Sequence, residues 1–291
     1  MRDELPVVVG VDDMPAGLQV VDFAAGQAAA RGAPLRVVHA WPGRRGGSPR
    51  RRAFVPDRAE AEHWLGLAVL RAQRVAPGLD VTSELVDGGA AQALIRRSVD
   101  AGLMVIGHRD DVGAGHSWGS TAAYLAHHSA CPLLVHRGAV PERGPVVVAV
   151  SGRRTATPGS AYDAAGRTGC LLVAVHVWSR PESGLTDSDE RRAANDRVTC
   201  SLSAWDTTWP DVPVRRLLIE PNDVEYTLDR ASQRGRLVVA GLGRKGWVVE
   251  ALYSGGAVRP SRHGLCPVLL VPPGWPTRES APAEQEAATS P

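Results

Sequence analysis

The feature that most limits what this chain can become is that it repeats itself. "PVVVGVDD" (Pro6–Asp13) recurs as "PVVVAVSG" (Pro145–Gly152), and "LRVVHAW" (Leu35–Trp41) as "LLVAVHVW" (Leu171–Trp178). "AGLMVIGH" (Ala101–His108) recurs as "RGRLVVAGL" (Arg234–Leu242), and "CPLLVHR" (Cys131–Arg137) as "CPVLLVPP" (Cys266–Pro273). Pairing Pro6 with Pro145, His39 with His176, Leu103 with Leu237 and Cys131 with Cys266 gives offsets of 139, 137, 134 and 135 residues. Four matches in one order at nearly one offset are the mark of a tandem duplication. The 291 residues therefore divide into two units of one fold, each of ordinary domain size.

Each matched segment is a short, continuous, valine-rich apolar run. Such runs read as parallel strands covered on both faces, because a half-exposed strand would alternate apolar with polar residues. Helical periodicity fills the gaps at Ala16–Arg31, Arg58–Val75, Ala90–Asp100 and Ser120–Ser129 in the first unit. "DVTSELV" (Asp80–Val86) and its counterpart "VPVRRLLIE" (Val212–Glu220) add a weaker strand to each unit. The order is β-α-β-α-β-α-β-α-β, and right-handed crossovers wind it into a doubly wound, Rossmann-like domain. The expected fold class is α/β, with two five-stranded parallel-sheet domains in tandem.

"HRGAVPERGP" (His136–Pro145), with its prolines and glycines, is the natural linker. The expected domains are residues 1–140 and 141–276, followed by a tail at 277–291 whose lack of periodicity reads as disorder. The 33 basic and 31 acidic residues nearly cancel, so the charge balance calls for neither nucleic acid nor a membrane surface as partner. The arginine-rich stretch Pro42–Arg52 reads as a solvated loop, the alternative being a handle for a phosphate-bearing or acidic partner. Cys131, Cys170, Cys200 and Cys266 contain no C-x-x-C pair, which argues against a structural zinc site or a redox motif and fits a reducing cytoplasm. The first apolar run, Pro6–Val11, is too short for a secretory signal or a membrane span.

These marks together resemble the universal stress protein family, over nearly the whole chain and as two family domains. They are V-x-V-D ending the first strand (Val9, Val11, Asp12), V-H-A-W ending the second, G-S-T opening the last helix of the first unit, and H-H-x-x-C-P-L-L-V closing it. The resemblance implies a five-stranded sheet that pairs with another through its last strand, here within one chain, and leaves room for a further homodimer. In the nucleotide-binding branch, it also implies ATP at the carboxyl ends of the first and fourth strands, with a phosphate loop G-x2-G-x9-G-[ST]. Glycines suit that loop because backbone N–H groups must reach the phosphates with no Cβ in the way. A helix N-terminus favours the anion.

Carried over residue by residue, the resemblance puts Gly10, Val11 and Asp12 against base and ribose, and Ala40 against the adenine through its backbone. Ile106, Gly107 and Arg109 open the phosphate loop, and Gly119, Ser120 and Thr121 close it. The middle departs: Asp110 stands at the second glycine position, Asp111 follows, and eight residues rather than nine separate Asp110 from Gly119. A carboxylate about 4 Å from a phosphate costs on the order of 4 kcal/mol at an effective dielectric near 20. That is roughly a thousandfold in affinity, unless Arg109, His108 or Mg²⁺ relieves it. In the second unit Ser151 replaces the aspartate, Arg244 and Ser254 stand at glycine positions, and Pro260 interrupts the last helix. No ATP is expected there.

Other candidate sites read as framework. Five histidines between His108 and His136 raise the question of a metal, but adjacent helical residues such as His127 and His128 point about 100° apart; no metal site is expected. His39 and His176 recur at equivalent strand ends and read as hydrogen-bonded framework, Cys131 and Cys266 as buried small hydrophobes. Trp64, Trp205 and Trp209 read as packing onto the sheet, the alternative being an association surface. Ser120 lies in no G-x-S-x-G elbow, so no catalytic residue is assigned. The expectation is a cytoplasmic, non-enzymatic binding protein of the stress response with an unidentified protein partner. Its ligand is an adenine nucleotide, ATP with Mg²⁺, in the first domain only. The alternatives are a nucleotide-free interaction module and a weak ATP-using enzyme.

Overall fold

The computed structural model describes residues 5–12, 15–41, 57–108, 120–152, 155–178, 187–242 and 265–276. Within them the first half runs β1 (Val7–Val11), α1 (Pro15–Arg31), β2 (Leu35–Trp41), α2 (Arg58–Val75), β3 (Val81–Asp87), α3 (Ala90–Ser98), β4 (Leu103–Gly107), α4 (Ser120–His128) and β5 (Leu133–His136). The second half runs β6 (Val146–Ala149), α5 (Ala156–Thr168), β7 (Leu172–Val177), α6 (Asp187–Thr208), β8 (Val214–Ile219), a 3₁₀ turn (Pro221–Asp223), α7 (Val224–Arg234), β9 (Leu237–Gly241) and β10 (Val268–Val271). The arginine-rich loop, the residues around Arg244, Ser254 and Pro260, and the tail at 277–291 lie outside the described residues.

Ten strands form one sheet in the order β3-β2-β1-β4-β5-β10-β9-β6-β7-β8. Every neighbouring pair is parallel except β5 and β10, which meet antiparallel with Val135 opposite Val268, Leu134 opposite Leu269 and Leu133 opposite Leu270. Leu134 and Leu269 are themselves equivalent in the repeat, so they stand on a local two-fold axis, and their neighbours exchange places across it. That is the geometry an isologous dimer requires, here within one chain. Away from the seam, Arg167 of α5 reaches its own repeat equivalent, donating from Nη1 to the Ala30 carbonyl in the last turn of α1 at 2.8 Å.

The alternating side chains of the strands supply two cores, one on each face. Val7, Val9, Leu35, Val37 and Val105 pack against α1 and α2, and continue into the second half under α5 and α6. Val8, Val38, Met104 and Ile106 pack against α3 and α4, and continue under α7. Local chemistry fixes the helix ends. Asp57 caps α2, accepting from the Glu60 N–H at 2.8 Å, and Gly169 closes α5 at φ 62°. α3 stops at Ser98, two residues before the expected end; there Ser98 Oγ bonds the Ile95 carbonyl at 2.7 Å.

The two halves join their helix pairs differently. Arg71 clasps Asp22 through two hydrogen bonds of 2.6 Å between α1 and α2. Between α5 and α6, Trp205 lies over Gly159, where a Cβ would come within 2.6 Å of its ring, and the buried Tyr162 donates its hydroxyl to Asp206. Trp205 is buried and Trp209 packs on Gly166, so both serve the core; Trp64 is half-buried.

Candidate functional site

Strand order turns at β1, with β2 on one side and β4 on the other. The chain leaves β1 toward the face that holds α1 and leaves β4 toward the face that holds α4. Connections that part in this way open a crevice at the carboxyl ends of the two strands. Pairing of Val9 with Val105, continued by two residues, brings Val11 level with Gly107 at its mouth. β2 runs further, because Val11 is opposite His39 and leaves Ala40 and Trp41 to pair only with Val86 and Asp87 of β3.

Of the residues carried over from the family, Gly10 and Val11 end β1, Asp12 follows it, Ala40 is near the end of β2, Ile106 and Gly107 end β4, and Ser120 and Thr121 open α4. The sheet brings the β1, β2 and β4 members to one edge. Arg109 and Gly119 lie outside the described residues, as do Asp110 and Asp111.

Three glycines at this edge have close neighbours. A Cβ on Gly10 would lie 2.7 Å from Leu94 Cδ1, and one on Gly107 would lie 2.8 Å from Val20 Cγ2. A Cβ on Gly17, in α1, would lie 2.8 Å from Asp12 Oδ1, so this glycine lets α1 settle close over the aspartate. The second half repeats the arrangement at Gly241, where a Cβ would meet Thr157 Oγ1 at 2.6 Å. Thr157 is the repeat equivalent of Val20. A glycine ending the fourth strand thus has a packing cause in both halves, whether or not a ligand is held.

The strand-end histidines are framework, as their recurrence suggested. His39 Nδ1 lies 2.9 Å from the Val11 carbonyl and His176 Nδ1 lies 2.7 Å from the Val150 carbonyl. A carbonyl only accepts, so each Nδ1 carries the proton and ties the end of its central strand to its neighbour. His136 does similar work beside β4: its carbonyl accepts the His108 N–H at 2.8 Å, and its ring packs 5.1 Å from Phe23. Burial pushes the His136 pKa below the ordinary histidine value.

Sequence reasoning missed Gly17, Phe23 and Arg58 as neighbours of this edge. Arg58 stands 5.8 Å over the Trp41 ring and bonds Glu62 at 3.1 Å and Asp87 at 3.2 Å. Their proximity comes from crossover packing, for which sequence spacing carries no signal.

His128 Nδ1 donates to the Tyr124 carbonyl at 2.8 Å, and its ring lies 6.4 Å from that of His127. Among the described residues no three histidine, cysteine or carboxylate side chains gather as metal ligands would. Cys131 and Cys266 are buried, and burial pushes the Cys131 thiol up to about 12. Among the described residues no helix is long and apolar enough to cross a membrane.

A sequence profile of the universal stress protein family matches residues 5–137. A universal stress protein of Mycolicibacterium smegmatis is 28% identical over 295 residues, covering 93% of this chain and 98% of its own length. One from Mycobacterium tuberculosis is 29% identical over 275 residues, covering 84% of this chain and 89% of its own. Among solved structures, a universal stress protein from Archaeoglobus fulgidus overlays 94% of this chain and 98% of its own, with a TM-score of 0.65 at 16% identity. The relatives thus span both halves, and the structural match shows the fold.

Proposed function

We propose that this chain, whose residues 5–137 match the universal stress protein family and whose relatives of that name span both halves, acts by binding, without catalysis, in the cytoplasmic stress response. Its first domain, residues 1–140, takes an adenine nucleotide, ATP with Mg²⁺. The observation that supports this reading most is the edge where β1 and β4 end together, with Asp12 after one strand and Gly107 at the end of the other. A doubly wound sheet takes its ligands at such a switch point. Asp12 supplies a carboxylate for ribose hydroxyls, and the overhanging Ala40 backbone supplies hydrogen-bonding groups for the base. Mg²⁺ would offset phosphate charge near the aspartates of the loop. Nucleotide occupancy then shifts the surface shown to a protein partner, which requires different affinities for two states of the protein.

Calorimetric titration with ATP and Mg²⁺ tests the reading. Asp110→Gly should tighten binding and Gly119→Asp should abolish it. Equal affinities for wild type and both variants would overturn it.

The competing reading is a nucleotide-free interaction module. The packing of Gly10 on Leu94 and of Gly107 on Val20 favours it, since both glycines are then accounted for without a phosphate. Absence of heat for wild type and for Asp110→Gly alike would decide for it.

A further inference from the structure

The seam between the halves is nearly the same from either side, yet one side chain breaks its symmetry. Arg137 follows β5, is only 7% exposed, and crosses into the second half. Its Nε donates to the Cys266 carbonyl at 2.8 Å and its Nη2 to Ser232 Oγ at 3.0 Å, with Cys266 Sγ 3.9 Å away. Among the described residues no carboxylate pairs with it. Its charge instead faces the last turn of α7, where Ser232 lies and the helix dipole is negative. The repeat equivalent of Arg137 is Pro272, which can return no such contact.

We propose that Arg137 selects the partner of the seam: it makes the first half pair with the second half and refuse the first half of another chain. The strands themselves discriminate poorly. Leu133, Leu134 and Val135 face Val268, Leu269 and Leu270, and a seam between two first halves would set the same kinds of aliphatic side chains against each other. The acceptors do discriminate. In such a seam Arg137 would meet Cys131 and Ser98, the counterparts of Cys266 and Ser232. There the Cys131 carbonyl already accepts from Ser129 Oγ at 2.8 Å. Ser98 Oγ already donates to the Ile95 carbonyl at 2.7 Å and accepts from the Ala130 N–H at 3.0 Å. The counterpart of Ser129 is Gly264, which has no hydroxyl, so the Cys266 carbonyl has no rival from that position. Two buried guanidinium groups that must compete for acceptors already engaged penalise the wrong seam, which is specificity by exclusion.

The test uses the full chain carrying Leu134→Cys, oxidised mildly, with cross-links mapped by peptide mass spectrometry. Residue 134 lies on the two-fold axis, so a seam between first halves of two chains places 134 opposite 134. Facing residues of antiparallel strands are about 4.5–5.5 Å apart at Cα, within disulfide reach. With Arg137 present, 134–134 links should be scarce, while Leu134→Cys with Leu269→Cys should close within one chain. Adding Arg137→Met should raise the 134–134 yield by about tenfold or more, and Arg137→Lys much less. Ser129→Gly, with Arg137 retained, should also raise it by freeing the Cys131 carbonyl. A purely structural arginine would lower the melting temperature without producing the 134–134 species. An unchanged yield in Ser129→Gly, and in Arg137→Met where that variant folds, would overturn the proposal; so would abundant 134–134 links with Arg137 and Ser129 intact.

Discussion

Replacing Gly107 with alanine separates two reasons for a glycine at the mouth of the crevice. The new Cβ would lie 2.8 Å from Val20 Cγ2, far inside the ~3.5–4.0 Å at which carbon atoms attract. Val20 is buried, and a valine on a helix is held to one χ1 rotamer, so it does not swing aside. Overpacking of this kind costs about 1–3 kcal/mol. Alanine returns about 0.5–1 kcal/mol, because glycine loses more chain freedom on entering a strand. The net loss is about 0–2.5 kcal/mol, a fall of up to roughly 5 °C in melting temperature for a chain of this size. Val20→Ala removes the obstructing methyls, so in that background Gly107→Ala should stabilise by about 0.5–1 kcal/mol, a coupling of about 1–3 kcal/mol. Thermal melts of the four ligand-free proteins, followed by circular dichroism, measure it. An equal fall in both backgrounds would refute the packing explanation.

Three further outcomes follow from particular groups. Tyr162→Phe removes the hydroxyl that Asp206 accepts and should cost about 1–2 kcal/mol in a urea melt; an unchanged midpoint would show that Arg216, 3.1 Å from Asp206, satisfies the carboxylate alone. His136 is buried with its pKa lowered, and its Nδ1 accepts the Gly138 N–H at 3.4 Å, so the fold holds it neutral. Below about pH 6.5 the unfolded chain therefore takes the proton first, and stability falls as acid is added; His136→Phe should flatten that slope in melting temperature against pH, and an unaltered slope would contradict the assignment. With a thiol reagent, the exposed Cys200 should react in the native protein, whereas Cys131, its thiol pushed up to about 12, should react only on unfolding.

The fold was legible because duplication wrote it twice. A weak strand such as Val214–Ile219, where two arginines interrupt the apolar run, is recognised through its alignment with Val81–Asp87. The seam strands were legible as apolar runs, but Arg137 was not: in "CPLLVHR" it reads as an ordinary charged residue after a strand, and only burial against Cys266 and Ser232 reveals its work. The candidate site was legible in part. Asp12, Ala40 and Gly107 do reach one edge, because the strand order of a doubly wound sheet is set by its crossovers. The reason for Gly107 was not legible, since close approach to a helix and close approach to a phosphate leave the same residue in the sequence. Gly241, packed on Thr157 in the second half, separates the two.

Native mass spectrometry of the freshly purified protein, followed by titration with ATP and Mg²⁺, tests the proposal that the first half of this chain holds an adenine nucleotide. The expected result is a mass shift of a single nucleotide per chain that is lost in Gly119→Asp. No shift at millimolar ATP would contradict it, and so would two nucleotides per chain.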